Sequence, residues 1–439
     1  MNIGLFTDTY FPQINGIATS VYNLSTELEK LGHKVYIFTP KDPRDSSNHH
    51  NDNVIRMTSM PAFFIKSFRI GLLYSPLAIA KIKRLNLDIV HTQTEFSLGM
   101  FGKVLSKTLN LPMIHTYHTM YEDYVHYIVN GHIITPSMAQ EYSRFFCNTA
   151  TAVIAPTIKA RDSLLKYGVT KPISIIPTGI NIRNFRKSNF NNEETLKLKE
   201  SLGISASDPT IVFVGRLAIE KSIDVIIKAM PELISMLPSV KLIIIGDGPA
   251  RKELENLAVK LKINKSVVFT GSRPWFEIGG YYQLGDVFVT ASLSETQGLT
   301  FVEAAAGGLP VVAKLDDCLS QFIKDEISGM FFKEDGELPK KLYEILTNGE
   351  KRKRIACAGT EAVEKLSSEA FAKNVLALYE DVILNPDKYK RKVREKFSIK
   401  SIARQPFNKI IYINRNITKS VIKKGTHLKE KAVNIKKKL

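Results

Sequence analysis

Short apolar runs separated by longer amphipathic stretches constrain this chain more than any other feature. They fall at residues 3–7, 35–38, 89–91, 113–115, 152–154 and 173–176 in the first half, and at 211–214, 242–245, 267–269, 287–289 and 310–312 in the second. Runs this short and this apolar are parallel strands covered on both faces, and the stretches between them suit crossover helices. The first unit is plain. After Asn15-Gly16, residues Ile17, Val21, Leu24, Leu28 and Leu31 share one helical face, and Gly32 ends that helix before the strand at Val35. The alternation predicts an α/β chain of two facing doubly wound, Rossmann-like domains. They span residues 1–180 and 181–384, divide near Pro177-Thr178-Gly179, and precede a tail at 385–439. The 439 residues, 44% hydrophobic and 24% charged, are ordinary globular material, enough for two cores. Parallel sheets bind ligands at the carboxyl ends of their strands, so the cleft between the domains is the expected site.

Charge is spread unevenly. Residues 385–439 hold 18 Lys and Arg against three acidic side chains, so the tail carries +15 of the formal +18. A near-neutral body with a basic tail suggests a polyanionic partner, nucleic acid or an anionic lipid surface. Ile410, Ile413, Ile417, Val421, Leu428, Ala432, Ile435 and Leu439 form one helical stripe flanked by Lys409, Arg415, Lys419, Lys423, Lys429 and Lys436. An interfacial membrane helix needs such a stripe and a nucleic-acid arm does not. The alternative is a helix docked on the protein's own body. A second membrane candidate, residues 60–74, interleaves Phe63, Phe64, Phe68 and Leu72 with Lys66 and Arg69; a buried helix is its other reading. No basic leader and no apolar run of about 20 residues is visible, so neither a signal peptide nor a spanning helix is expected. Cys147, Cys318 and Cys357 stand far apart, which suits a reducing compartment.

The chemistry concentrates after two second-half strands. In residues 292–310, Gly298 opens a short helix closed by Gly307-Gly308, and the free amides of Gly298, Leu299 and Thr300 make an anion site suited to a phosphate. Glu295 and Glu303 flank that site, and carboxylates accept hydrogen bonds from sugar hydroxyls. Amides for phosphate bracketed by carboxylates for hydroxyls match a nucleotide-sugar. Arg216 and Lys221 follow the strand at 211–214; a guanidinium forks two phosphate oxygens and an ammonium adds a point charge. Each alone reads as a solvated cation, but convergence with Glu295 and Glu303 at one sheet edge favours stabilisation of a departing diphosphate. His118 ends the strand at 113–115. His115 and His118 are expected on opposite faces of that strand and lack Cys partners, so no metal site is expected there. Asp123 and Tyr124 follow on the same loop as candidates for orienting an acceptor, and His49-His50 reads as solvated.

Three motifs together resemble glycosyltransferase family 4: G-R-x-x-x-x-K at 215–221, E-x7-E from Glu295 to Glu303 within a Gly-rich turn and helix, and the opening loop 7–16. The resemblance runs from Asn2 to about Tyr379. It implies a GT-B architecture, a nucleotide-sugar donor in the second domain, retention of anomeric configuration, no required cofactor and no metal. Consistent with the last, no D-x-D stands at a strand end. By that likeness Glu303 holds the donor ribose, Glu295 the transferred sugar, and Arg216 and Lys221 the diphosphate. Gly16 then lets backbone approach the phosphate from the opposite domain, and His118 lies beside the donor sugar. The last helix before the tail is expected to return to the first domain.

Within the family the likeness is greatest to the bacterial members that glucosylate diacylglycerol, in residues 10–20 and 294–300. The implied reaction moves glucose from UDP-glucose to the 3-hydroxyl of 1,2-diacylglycerol. The enzyme would be peripheral on the cytoplasmic face of the membrane, with anionic lipids as partners and no nucleic acid. Phosphatidylinositol or monoglucosyldiacylglycerol is the alternative acceptor, and a basic nucleic-acid-binding module on an inactive body is the alternative class. No carboxylate nucleophile for a double displacement is identifiable, so a front-face route is expected, in which the leaving phosphate helps deprotonate the acceptor.

Overall fold

The structure is a computed structural model and describes residues 1–13, 15–42, 52–61, 69–71, 76–123 and 135–389. The basic tail from 390 on, the aromatic run at 62–68, Leu72, Tyr124 and His49-His50 lie outside these residues.

The first half runs β1 (Asn2–Phe6), α1 (Gly16–Lys30), β2 (Lys34–Pro40), β3 (Val54–Met57), β4 (Ser59–Pro61), β5 (Arg69–Gly71) and α2 (Pro76–Lys83). It continues with β6 (Ile89–Thr92), α3 (Ser97–Leu109), β7 (Met113–Thr116), α4 (Pro136–Cys147), β8 (Ala152–Ala155), α5 (Ile158–Lys166) and β9 (Ile173–Ile175). Then come α6 (Asn192–Ser201), β10 (Thr210–Val214), α7 (Ile223–Met236), β11 (Lys241–Ile245), α8 (Arg251–Lys260), β12 (Val267–Gly271) and α9 (Ile278–Tyr282). β13 (Val287–Thr290), α10 (Leu299–Ala306), β14 (Val311–Lys314), β15 (Met330–Phe332), α11 (Leu338–Thr347), α12 (Gly349–Val363), α13 (Ser368–Leu384) and α14 (Pro386–Tyr389) complete the described chain.

Among the described residues the first sheet has the order β3-β2-β1-β6-β7-β8-β9 and the second β12-β11-β10-β13-β14-β15, both parallel. Alternation along each strand sends side chains into two cores. Ile3 and Leu5 of β1 join one core and Phe6 the other; Ile211 and Phe213 of β10 join one core, Val212 and Val214 the other. Burial on both faces explains why these strands read as unbroken apolar runs. In each sheet the strand order reverses once, between β1 and β6 and between β10 and β13. Such reversals open a crevice at the carboxyl strand ends, and the functional side chains gather there.

The chain crosses between the sheets twice. Around Gly179 it runs beside its own return: Ile180 N–H donates to Leu366 O (3.0 Å) and Ser368 N–H to Ile180 O (2.8 Å). After the return, α13 packs on α1. Phe371, Val375, Leu378 and Tyr379 enter the same core as Ile3, Val21 and Leu24. The Tyr379 hydroxyl and His91 Nδ1, both buried, are 2.5 Å apart. Among the described residues, no helix is long and apolar enough to cross a membrane.

Candidate active site

At the second sheet's reversal, β10 delivers Gly215-Arg216 and a 3-10 turn, Ile219–Lys221, before α7. The Lys221 ammonium reaches Glu295 Oε1 at 2.6 Å, and both side chains are more than four-fifths buried. Arg216 stands exposed at the head of the same loop. Burial alone would raise the Glu295 carboxyl, but Lys221, helped by Ser292 and Lys159, outweighs it and holds Glu295 below its ordinary range. Glu295 is therefore ionised, with an ammonium as its first partner.

The β13 loop ends at Gly298, whose φ of 78° lies in the left-handed region open to glycine. A Cβ there would also meet Phe301 Cδ1 at 2.9 Å. This turn starts α10 without a side-chain cap, and among the described residues no side chain accepts from the Leu299 or Thr300 amide. One turn on, Glu303 Oε2 accepts from the Tyr282 hydroxyl at 2.8 Å. Burial pushes the Glu303 carboxyl up to about 7 against the pull of that hydrogen bond. The two carboxylates thus differ in state: one is fixed as an anion and the other poised near neutrality.

Across the cleft, Asn15 caps α1 by accepting from Ala18 N–H at 2.9 Å, and Gly16 is the first helical residue. A Cβ on Gly16 would lie 3.7 Å from Leu299 Cδ1, so the starts of α1 and α10 adjoin. Two helix N-termini meeting across a gap concentrate positive potential on one spot. The lobes also touch through rings, with Trp275 5.9 Å from Phe11 and 5.8 Å from Tyr22, centroid to centroid.

His118 differs from the strand-based reading. β7 ends at Thr116, so the alternation of faces applies to His115 and stops short of His118. Buried His115 bonds Glu95 and Thr92, whereas half-buried His118 turns on the following loop and donates from Nε2 to Gln93 Oε1 at 2.8 Å. Burial, with His115 adding, lowers His118 to about 3, so its ring is neutral. Asp123 closes the short turn Tyr121–Asp123 just beyond. Among the described residues, no three His, Cys, Asp or Glu side chains converge as for a metal ion.

The structure therefore brings Arg216, Lys221, Glu295, Gly298, Leu299, Thr300 and Glu303 to one edge, with Gly16 facing them and His118 at the first sheet's edge. Residues that carried no sequence signal also belong here. Tyr282 holds Glu303, and Thr157, Lys159 and Thr178 of the first half bond to the loop around Glu295. An ammonium beside a carboxylate, next to uncapped amides, can hold a diphosphate and a polyhydroxylated ring together.

The pattern described as Glycosyltransferase Family 4 matches residues 14–184, and that described as Glycosyl transferases group 1 matches residues 194–362. An alpha-monoglucosyldiacylglycerol synthase of Streptococcus pneumoniae is 37% identical over 96% of this chain and 94% of its own length. Another of that name, from Acholeplasma laidlawii, is 36% identical over 90% of this chain and 100% of its own. Among solved structures, Anabaena Alr3699/HepE in complex with UDP-glucose superposes with a TM-score of 0.69 at 18% identity, covering 87% of this chain and 100% of that one. Sucrose-phosphate synthase from Thermosynechococcus elongatus gives 0.71 at 22% identity, over 87% and 99%. Two facing Rossmann-like lobes of this topology, with cationic and acidic loops at the reversal of the second sheet, define a GT-B glycosyltransferase. The chain belongs to glycosyltransferase family 4.

Proposed function

We propose that this chain transfers glucose from UDP-glucose to the 3-hydroxyl of 1,2-diacylglycerol, with retention of configuration, at a membrane surface. The observation that carries the reading is the Lys221–Glu295 pair beside the uncapped start of α10. Relatives at 36% and 37% identity named as monoglucosyldiacylglycerol synthases supply the acceptor and sugar. In this reading Arg216, Lys221 and the α10 amides take the diphosphate, Gly16 leaves room for it, and Glu303 takes the ribose hydroxyls. Glu295 and neutral His118 hold the hexose. As the anomeric bond to phosphate breaks, charge grows on the diphosphate against Lys221, and the leaving oxygen receives the acceptor's proton on the same face. No metal enters this scheme. The basic tail holds the enzyme against anionic lipid on the cytoplasmic face, at about 1 kcal/mol for each engaged basic residue, whereas Arg69 of the second candidate segment is buried and donates to Lys41 O and Ser59 O.

A donor panel of UDP-glucose, UDP-galactose and GDP-mannose against diacylglycerol vesicles tests this. Glucosyl-diacylglycerol should dominate the products and should increase when anionic lipid is added. Preferential transfer to a soluble sugar, or indifference to anionic lipid, would remove the acceptor or the membrane part respectively. A covalent glycosyl-enzyme trapped on a side chain would overturn the front-face route.

Glu303 adds a pH test. Its raised value, about 7, means the free protein holds the carboxyl divided between protonated and ionised forms near neutrality. Both ribose hydroxyls can donate only to the ionised carboxylate, so binding strengthens as pH rises through that value and releases a proton. Affinity for UDP-glucose is expected to be roughly tenfold weaker at about pH 6 than at about pH 8. Calorimetry in buffers of different ionisation enthalpy measures both the affinity and the proton. Glu303→Gln should flatten the profile, and a flat wild-type profile would refute the ribose role.

A further inference from the structure

The Glu295 loop is held from outside its own lobe. Leu293 O accepts from Lys159 Nζ at 2.9 Å, and Thr296 O accepts from Thr157 Oγ1 at 2.8 Å. The Gln297 side chain is bonded at both ends to the crossing segment: its Oε1 accepts from Thr178 N–H at 2.7 Å, and its Nε2 donates to Thr178 O at 2.8 Å. Lys159 also pairs with Asp316 Oδ2 at 2.6 Å, and that pair is largely buried. Thr157 and Lys159 sit at the N-terminal end of α5, at the carboxyl edge of the first sheet. Thr157 doubles as that helix's cap by accepting from Ala160 N–H. From within its own lobe, Glu295 is held by Lys221, while Ser294 Oγ donates to Glu220 O at 3.2 Å.

We infer that Lys159, with Thr157, is a positioning residue that sets the Glu295 carboxylate from the opposite lobe, so that the site is complete only when the lobes meet. Tethers at Leu293, Thr296 and Gln297 bracket Glu295 on both sides, and the first two come from one helix start on the far side of the cleft. A loop fixed at three points cannot carry its carboxylate away from the hexose while those bonds hold. Once the lobes part, the bonds from Lys159 and Thr157 have no partner. Donor bound to an open protein then has Glu295 held by Lys221 but without the loop tethers from α5, which restrains loss of the sugar to water before an acceptor arrives. This inference rests on Glu295 facing the transferred hexose. It requires nothing of the lipid acceptor.

Lys159→Met, Lys159→Arg and Thr157→Val test it in the full-length chain. Turnover of UDP-glucose is measured both with diacylglycerol vesicles and to water, beside the dissociation constant for UDP, which carries no hexose. Misplacing a reacting group by about an ångström costs on the order of 10²-fold, so Lys159→Met should lose about that in kcat with UDP affinity within about twofold. Lys159→Arg should recover most of the loss, and Thr157→Val should fall between. Emission of the single tryptophan, Trp275, reports whether the lobes still meet at Phe11 and Tyr22. Turnover of Lys159→Met within about threefold of wild type would overturn the inference, as would a parallel loss of UDP affinity or a shifted Trp275 emission, since either marks a merely structural role. Failure of wild type to glucosylate diacylglycerol would sink the acceptor reading while hydrolysis still tests Lys159.

Discussion

Replacing Lys221 with methionine should slow turnover roughly 10²–10³-fold, a loss of about 3–4 kcal/mol in transition-state stabilisation. Two effects add. The variant lacks the ammonium that faces a leaving diphosphate in a site shielded from water, where a charge counts for more than at the surface. It also strips Glu295 of its nearest cation, 2.6 Å away. Burial is the largest single influence on Glu295, and the charge and hydrogen bond of Lys221, with Ser292 and Lys159, together overcome it and keep Glu295 below its ordinary range. With Lys221 gone, burial is no longer overcome and the carboxyl rises. The acidic limb of kcat against pH should therefore move upward in Lys221→Met, whereas a variant that lost only diphosphate binding would leave the limb in place. Lys221→Met combined with Glu295→Gln should cost less than the two single losses added, because the residues act as a unit. A loss under about tenfold, or strict additivity, would deny the pair its role.

The sequence was most readable where local pattern and burial coincide. Strands such as β10 and β11 are buried on both faces, so all but their first residues, Thr210 and Lys241, are apolar and the run stands out. β3 escaped notice because three of its four residues are only half-buried, and it sits at an edge with one partner. β15 is three residues long, too short to separate from its surroundings. Glu295 and Glu303 were legible because a strand end, a left-handed glycine and a short helix fix them within nine consecutive residues. Lys159 could not be read this way. Its partners Leu293 and Asp316 lie 134 and 157 residues onward, and an ammonium at a helix start looks solvated until the second lobe is in place. His118 was half legible: the sequence placed it at the end of that strand, whereas β7 stops at Thr116 and its bond to Gln93 comes from a neighbouring strand's loop. Local chemistry is written in spacing, and chemistry shared between lobes is not.

The crossing at Gly179 makes the second large prediction. A Cβ there would lie 2.4 Å from Ser367 O and 2.6 Å from Phe371 Cβ, neither of which can swing aside as a side-chain tip could. The backbones are also tied, since Gly179 O accepts from Asn23 Nδ2 at 3.1 Å and the neighbouring Ile180 exchanges bonds with Leu366 and Ser368. Gly179→Ala must therefore spread the two crossings or shift α13, whose Phe371 and Val375 fill the core beneath α1. Overpacking of this kind costs about 3 kcal/mol, read as a lower denaturation midpoint at unchanged slope. Gly336→Ala is the control: a Cβ there meets nothing within 4 Å, so its effect should stay within about 0.5 kcal/mol. The crossing also carries Thr178, which holds Gln297 beside Glu295, so Gly179→Ala should lower kcat at temperatures where the protein is still folded. Wild-type stability in Gly179→Ala would mean that the paired crossings part at no cost.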